Sequence, residues 1–340
     1  MPVAGLGAVA RENRKPLRIE EVSFRDPGPD ELLVRLHASG VCHTDLHAID
    51  CDWPVKPNLP FIPGHEGVGD VFKAGCNVHN IKEGDRVGLP WLHEACGQCE
   101  WCVTGWESLC PVAEYGGYAA NGSFAEYALA PAAYVGHIPS TLSDVEAAPM
   151  LCAGLSAWKA LKETEVTAGQ WVAISGIGGL GQMAIQFAVT MGLHVIAIDI
   201  DAKKLLRAKD LGAEITLNAR EPGAAQTVQK AVGGAHGVIV TAVSISAFRQ
   251  AIDMMRRKGT CIFVVLPPGE VPMPIFDIVL KRLTIRGSLA GTREDLQEAL
   301  QMAADAGLRS LIQTQPLATA NDALDRLRAG KVPGRIVLTM

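Results

Sequence analysis

WVAISGIGGLGQMAIQFAVTMG, residues 171–192, is the stretch whose reading decides the fold. WVAIS is a short apolar run of strand character, and LGQMAIQFAVTMG has the length and apolar content of a buried helix. Between them GIGGLG, Gly176 to Gly181, fits G-x-G-x-x-G. That pattern is weak alone, but a strand before it and a helix after it supply the context of a dinucleotide fingerprint. Gly176 permits the tight turn, Gly178 lets the backbone approach a pyrophosphate, and Gly181 allows close helix–strand packing. Gly179 and Leu180 open the helix, whose first N–H groups face phosphate.

The next strand, HVIAID, ends at Asp199, eighteen residues beyond Gly181. A carboxylate there accepts hydrogen bonds from the adenosine ribose and repels a 2′-phosphate, so NAD is expected rather than NADP. Asp201 adds negative charge nearby. The competing reading is a flavodoxin-like glycine turn without a dinucleotide; strand, helix and acid together weigh against it. Working outward, GVIVTAV (237–243), SAFRQAIDMMRRKG (246–259) and TCIFVV (260–265) continue as strand, helix and strand. Apolar strands separated by helical segments predict a doubly wound parallel α/β sheet. REDLQEALQMAADAG and NDALDRLRAG then read as helices, and RIVLTM as a closing strand.

Residues 1–148 have another texture, β-rich and turn-rich, with ELLVRLHASGV, EGVGDVFKAG and DRVGLP broken by Gly, Pro and Asp. Domain boundaries are therefore expected near 148 and 287. From Gln170 to Ile198 there is no Asp, Glu, Lys or Arg, but the glycines and polar Gln182, Gln186 and His194 fit strand, turn and helix better than a bilayer helix. The 340 residues carry a net charge of −5, without a long basic run, which argues against a nucleic-acid partner. The N-terminus lacks the pattern of a secretory signal, so a cytoplasmic location is expected. In that reducing setting dense cysteine spacing suggests metal rather than disulfides.

CGQCEWCVTGWESLC (96–110) places four cysteines, Cys96, Cys99, Cys102 and Cys110, within fifteen positions. Four thiolates make a closed tetrahedral zinc site; an iron–sulfur cluster takes the same donors, and disulfides are a third possibility. A catalytic metal instead needs three protein ligands and an open position. Cys42 in GVCHTD, His65 in PGHEG and Cys152 in PMLCAG are candidates, although each alone has an ordinary reading as a buried core residue.

GVCHTD (40–45), GHEG (64–67), the four-cysteine stretch, LCAG (151–154), GIGGLG and the terminal GR (334–335) occur in the order seen in zinc-dependent medium-chain alcohol dehydrogenases. The resemblance runs nearly end to end and is closest to the tetrameric yeast and bacterial branch. It implies a GroES-like catalytic domain over 1–148, completed by 287–340, and a Rossmann domain over 149–286. It also implies two zincs per chain: a catalytic one on Cys42, His65 and Cys152, and a structural one on the four-cysteine stretch. Glu66 matches a residue that approaches the catalytic zinc during ligand exchange, and Asp45 the carboxylate that orients the ligand histidine. Thr44 and His47 match the ends of a proton relay running through the nicotinamide ribose. His43 and Arg335 match cations near the coenzyme pyrophosphate, and Lys204 an adenosine-ribose contact. Trp53, Trp91, Leu266 and Leu289 match substrate-pocket positions; two indoles favour small alcohols such as ethanol.

The activity implied is reversible oxidation of alcohols to aldehydes with hydride transfer to NAD, by a homotetramer with no membrane partner. The near rival is a sibling acting on polyols, aromatic alcohols or a thiol adduct of formaldehyde. The rival from another class is a non-enzymatic zinc-binding scaffold, disfavoured by the acidic charge and by the presence of both Thr44 and His47.

Overall fold

The computed structural model describes residues 2–340. It divides into two compact units, Met1–Cys152 with Thr292–Ala304 and Ser310–Met340, and Ala153–Gly291 with Asp305–Arg309.

In the second unit six strands lie in the order 215–218, 194–199, 171–175, 235–240, 255–263 and 284–287, and every neighbouring pair is parallel. Strand Trp171–Ser175 sits centrally because it begins both wings: the chain moves outward twice, then returns to pair Val172 with Gly237. That reversal beside Ser175 is the topological switch point of a Rossmann sheet, where ligands bind at the strands' carboxyl ends. Val172, Ala173, Ile174 and all of Val195–Ile198 are fully buried. Helices on both faces of the sheet require such continuous apolar strands. The uncharged stretch resolves into strand Trp171–Ser175, helix Gly179–Thr190 and strand His194–Asp199. Among the described residues no helix is long and apolar enough to cross a membrane.

The first unit is built on a seven-stranded sheet centred on the long strand Glu31–Val41. That strand pairs antiparallel with Gly67–Ala74, Tyr127–Pro131 and Arg335–Thr339. The chain's last strand thus closes against its third. Helix His43–Asp50 follows Val41 directly, a helix the β-rich texture of this region does not announce. A hairpin of Leu92–Glu94 and Glu114–Tyr115 brackets the four-cysteine loop.

One element departs from the sequence expectation. SAFRQAIDMMRRKG reads as a single helix, but the helix is Ile245–Met254 and Met255–Phe263 is already strand. Met255 is extended and fully buried opposite Ala235, and Lys258 takes a positive φ of 61° where the register shifts. Burial of Met255 in the sheet outweighs the helix propensity of the basic residues that follow.

Candidate active site and metal centres

Helix His43–Asp50 begins at Cys42, and Asp45 in its first turn ties the helix start to the Gly64–His65 segment. One Asp45 oxygen accepts the Cys42 N–H at 2.8 Å; the other accepts His65 Nδ1–H at 2.9 Å and the Gly64 N–H at 3.2 Å. Asp45 and His65 are almost wholly buried. A carboxylate acceptor on Nδ1 fixes the neutral ring's lone pair on Nε2, and that atom, also buried, has no hydrogen-bond partner among the described residues. An orphaned imidazole nitrogen in a buried site is aimed at something.

Donor atoms of Cys42, His65, Glu66 and Cys152 all lie within 4.8 Å of one another. The Cys42 and Cys152 sulfurs are 3.9 Å apart. A hydrogen bond from the Cys152 thiol, helped by His65 and Arg335, draws the Cys42 thiol well below its ordinary range. The Cys152 thiol is pushed up by that same neighbour and by burial. A dication between the two sulfurs would favour both as thiolates. Two thiolates with one imidazole form the donor set of a catalytic zinc site, so these residues fit the metal.

Glu66 is fully buried and ion-paired with Arg335, which is 8% exposed. Burial raises the Glu66 carboxyl, opposed chiefly by the Arg335 charge. Sequence reading expects Arg335 near coenzyme phosphate; the structure adds a nearer partner, Glu66. Arg335 Nε and Glu66 Oε2 remain unpaired among the described residues, so the pair keeps unused hydrogen-bonding capacity beside the thiols.

Thr44 Oγ1 is 3.8 Å from the Cys42 sulfur. His43, the helix's first residue, is exposed. One turn on, His47 is partly exposed and stacks on Trp53 at a centroid distance of 4.9 Å. Trp53 meets Trp91 edge-on at 6.5 Å, and the Trp91 ring lies 5.1 Å from the His65 ring. Two tyrosines that sequence reading misses complete this aromatic wall. Tyr115 stacks on Trp91 at 4.8 Å, and the Tyr118 ring lies 5.8 Å from both indoles, its hydroxyl donating to the Val55 carbonyl. Only their place just after the cysteine loop, at positions 115 and 118, could have signalled them.

Cys96, Cys99, Cys102 and Cys110 also bring their sulfurs within 4.8 Å of one another. Backbone N–H groups of Gln98 and Cys99 draw the Cys96 thiol down to about 6. N–H donors aimed at sulfur are the ordinary surroundings of a metal thiolate. Inside the loop a short helix, Glu100–Val103, and a 3-10 turn, Glu107–Leu109, are held by local hydrogen bonds such as Trp106 N–H to the Trp101 carbonyl at 2.7 Å. The loop is held from outside by the Tyr134 hydroxyl donating to the Ala95 carbonyl, and by buried Glu107 accepting from Arg293 N–H and Nε. All nine cysteines are free of disulfides.

In the second unit Gly176 has a φ of +103°, and a Cβ on Gly181 would lie 2.0 Å from the Gly176 carbonyl oxygen, so each position requires glycine. A Cβ on Gly178 would meet nothing within 4 Å, which leaves open space over the start of helix Gly179–Thr190, where Leu180 stands in the first turn. Asp199 does more than sequence reading expects. Its carboxylate accepts the Ile177 N–H at 2.6 Å and the Asp201 N–H at 3.0 Å, anchoring the glycine turn, and Lys204 Nζ stands 3.9 Å away. Leu266 and Leu289 belong to this unit and are 66% and 45% exposed.

Two family models match: the alcohol dehydrogenase GroES-like domain over residues 28–140 and the zinc-binding dehydrogenase over 179–305. An alcohol dehydrogenase of a Moraxella species is 55% identical over 97% of this chain and 98% of its own. One from Geobacillus stearothermophilus is 51% identical over 97% and 98%. The structure of acetophenone reductase from Geotrichum candidum in complex with NAD superposes with a TM-score of 0.88 at 27% identity, covering 100% of this chain and 98% of the other. That of a Helicobacter pylori CAD complexed with NADP(H) gives 0.89 at 25% identity, covering 100% and 99%. Taken with the paired thiols, the oriented histidine and the glycine turn, these matches mean that the chain belongs to the zinc-dependent medium-chain alcohol dehydrogenases, oxidoreductases that work with zinc and a nicotinamide cofactor.

Proposed function

We propose that this protein is an NAD-dependent alcohol dehydrogenase that reversibly converts small primary alcohols, and some secondary ones, to aldehydes and ketones. The observation that carries the reading is the convergence of Cys42, Cys152 and the open, buried His65 Nε2 within 4.8 Å of one another. These three residues would hold the catalytic zinc, with Glu66 beside them, and Cys96, Cys99, Cys102 and Cys110 would hold the second. When bound, zinc supplies the Lewis acidity that favours loss of an alcohol proton, and the nicotinamide supplies the hydride acceptor.

The chain's own residues do the rest. Asp45 keeps His65 Nδ1 protonated and its ring fixed. Thr44 Oγ1 accepts the hydrogen bond of the alcohol hydroxyl, and His47 carries the proton on to solvent at Nε2. Trp53 and Trp91, backed by Tyr115 and Tyr118, narrow the substrate space and exclude water. Leu266 and Leu289 keep the substrate-pocket role that the family resemblance implies. The open first turn at Gly178, Gly179 and Leu180 receives pyrophosphate, with His43 and Arg335 assigned to it as hydrogen-bond donors, and Asp199 with Lys204 reads the adenosine ribose. Zinc analysis with an ethanol-plus-NAD assay tests this: two zincs per chain and NADH formation are expected, and one zinc or no turnover overturns it.

NAD preference rests on Asp199. Asp199→Asn keeps one oxygen to accept the Ile177 N–H, gives up the acceptor for the Asp201 N–H, and removes the charge. It is expected to raise NADP use relative to NAD about tenfold, read as the ratio of kcat/KM values, with an unchanged ratio counting against the assignment. A cytoplasmic location suits nine unpaired cysteines.

For assembly, a homotetramer is the proposal. Helix Ile275–Lys281 exposes Ile275, Phe276, Val279 and Leu280, each by more than half, and strand Thr284–Gly287 is an edge with one neighbour. Such a face is costly to leave in water. Light scattering should give four times the 36.1 kDa chain mass; a monomer or stable dimer would refute it.

A further inference from the structure

His47 has a partner that its role as a proton carrier needs. Helix His43–Asp50 ends with Cys51 in the left-handed conformation, at a φ of 52°, which turns the chain back over the last helical turn. The turn brings the Asp52 carboxylate to His47 Nδ1, at 2.9 Å from one oxygen and 3.1 Å from the other. Trp53, the next residue, stacks on the His47 ring with an interplanar angle of 20°. The ring is thus held in its plane by the indole and in its rotation by the carboxylate.

We propose that Asp52 is a positioning residue of the proton relay: it fixes His47 as the Nδ1–H tautomer and supports the imidazolium formed when Nε2 takes a proton. This rests on the reading of His47 as the relay's outer end. A carboxylate without a proton can only accept, so Nδ1 carries the hydrogen and Nε2 is left with the lone pair. When Nε2 binds the substrate-derived proton, positive charge spreads over the ring. Asp52 and the Trp53 face then both stabilise it before Nε2 hands the proton to water. The Nδ1–H bond is never broken. Without Asp52 the other tautomer becomes accessible and puts a hydrogen where the lone pair should be.

The charged groups around this pair have their own engagements. His43 lies one turn earlier on the same helix. Asp50 is paired with Arg328 from helix Ala320–Arg328, Arg14 donates to the Asp50 carbonyl, and Lys56 lies beyond Cys51. None of these is hydrogen-bonded to His47, so Asp52 is the group whose removal isolates the effect.

Asp52 is exposed, so its replacement leaves the fold intact. The test compares Asp52→Ala, Asp52→Asn, His47→Gln and Asp52→Ala/His47→Gln in the zinc-loaded enzyme, as kcat/KM for ethanol from pH 6.5 to 10. Asp52→Ala is expected to lose about tenfold at pH 7, less than the roughly 10²–10⁴-fold that a general acid–base group itself contributes because Asp52 acts only through His47, and to approach wild type at pH 10, where hydroxide takes the proton directly. Asp52→Asn, which still offers an oxygen to Nδ1–H, should recover most of the loss. In the His47→Gln background Asp52→Ala should cost nothing further. An Asp52→Ala loss that is equal at every pH, or undiminished without His47, would make Asp52 merely structural and overturn the proposal. His47→Gln with wild-type kcat/KM at pH 7 would instead remove the relay reading beneath it.

Discussion

Replacing Cys42 with serine is expected to abolish turnover while leaving the fold standing. The Lewis acid contributes several kcal/mol to the barrier, and each 1.36 kcal/mol is a factor of ten, so kcat should fall at least about 10³-fold. Cys42 caps a short helix at the edge of the cluster and supplies little of the apolar core, so the melting temperature should change by only a few degrees. The metal count should fall from two to one per chain. Asp45→Asn is the graded companion. It keeps an acceptor near His65 Nδ1 but loses the charge, and changes to such supporting partners cost roughly 10–100-fold. Serine at 42 with full activity and two bound zincs would overturn the ligand assignment. Equal losses in both variants, with a large drop in melting temperature, would mean that Asp45 serves packing alone.

Breaking the four-cysteine centre should have the opposite signature. Cys99→Ser leaves three sulfurs on a loop whose side-chain ties to the rest of the chain include the Tyr134–Ala95 and Glu107–Arg293 contacts. Loss of a structural metal belongs to the small class of changes costing roughly 4–5 kcal/mol. For a domain of this size that lowers the melting temperature on the order of 10 °C. Activity assayed cold and promptly should be largely kept, then decay fast on warming. Wall and loop are joined through the hairpin Leu92–Glu94 with Glu114–Tyr115, whose Tyr115 stacks on Trp91. Warming should therefore damage discrimination between small and bulky alcohols before it unfolds the chain. An unchanged melting temperature with immediate loss of turnover would put catalysis in the loop and refute the structural reading.

The sequence by itself determined what short-range pattern can encode. Apolar runs separated by helical segments specified a parallel sheet, because strands covered on both faces have no polar side to show. GIGGLG specified its turn, because the positive φ at Gly176 and the 2.0 Å approach at Gly181 admit no side chain. The spacing of Cys96, Cys99, Cys102 and Cys110 pointed to a metal cluster, because thiols with two residues between them on a turn can offer two sulfurs to one ion. Tertiary structure decided everything that depends on distant segments meeting. Cys42 and Cys152 are 110 positions apart, and Glu66 and Arg335 are 269 apart. They meet because strand Arg335–Thr339 pairs with Glu31–Val41, which leads into Cys42, and because buried Asp45 accepts from the Cys42 and Gly64 backbone N–H groups and from the His65 ring. Even Asp52, five residues from His47, stayed illegible. Its contact depends on one left-handed residue at the helix end, and a cysteine carries no signal for that conformation as a glycine would.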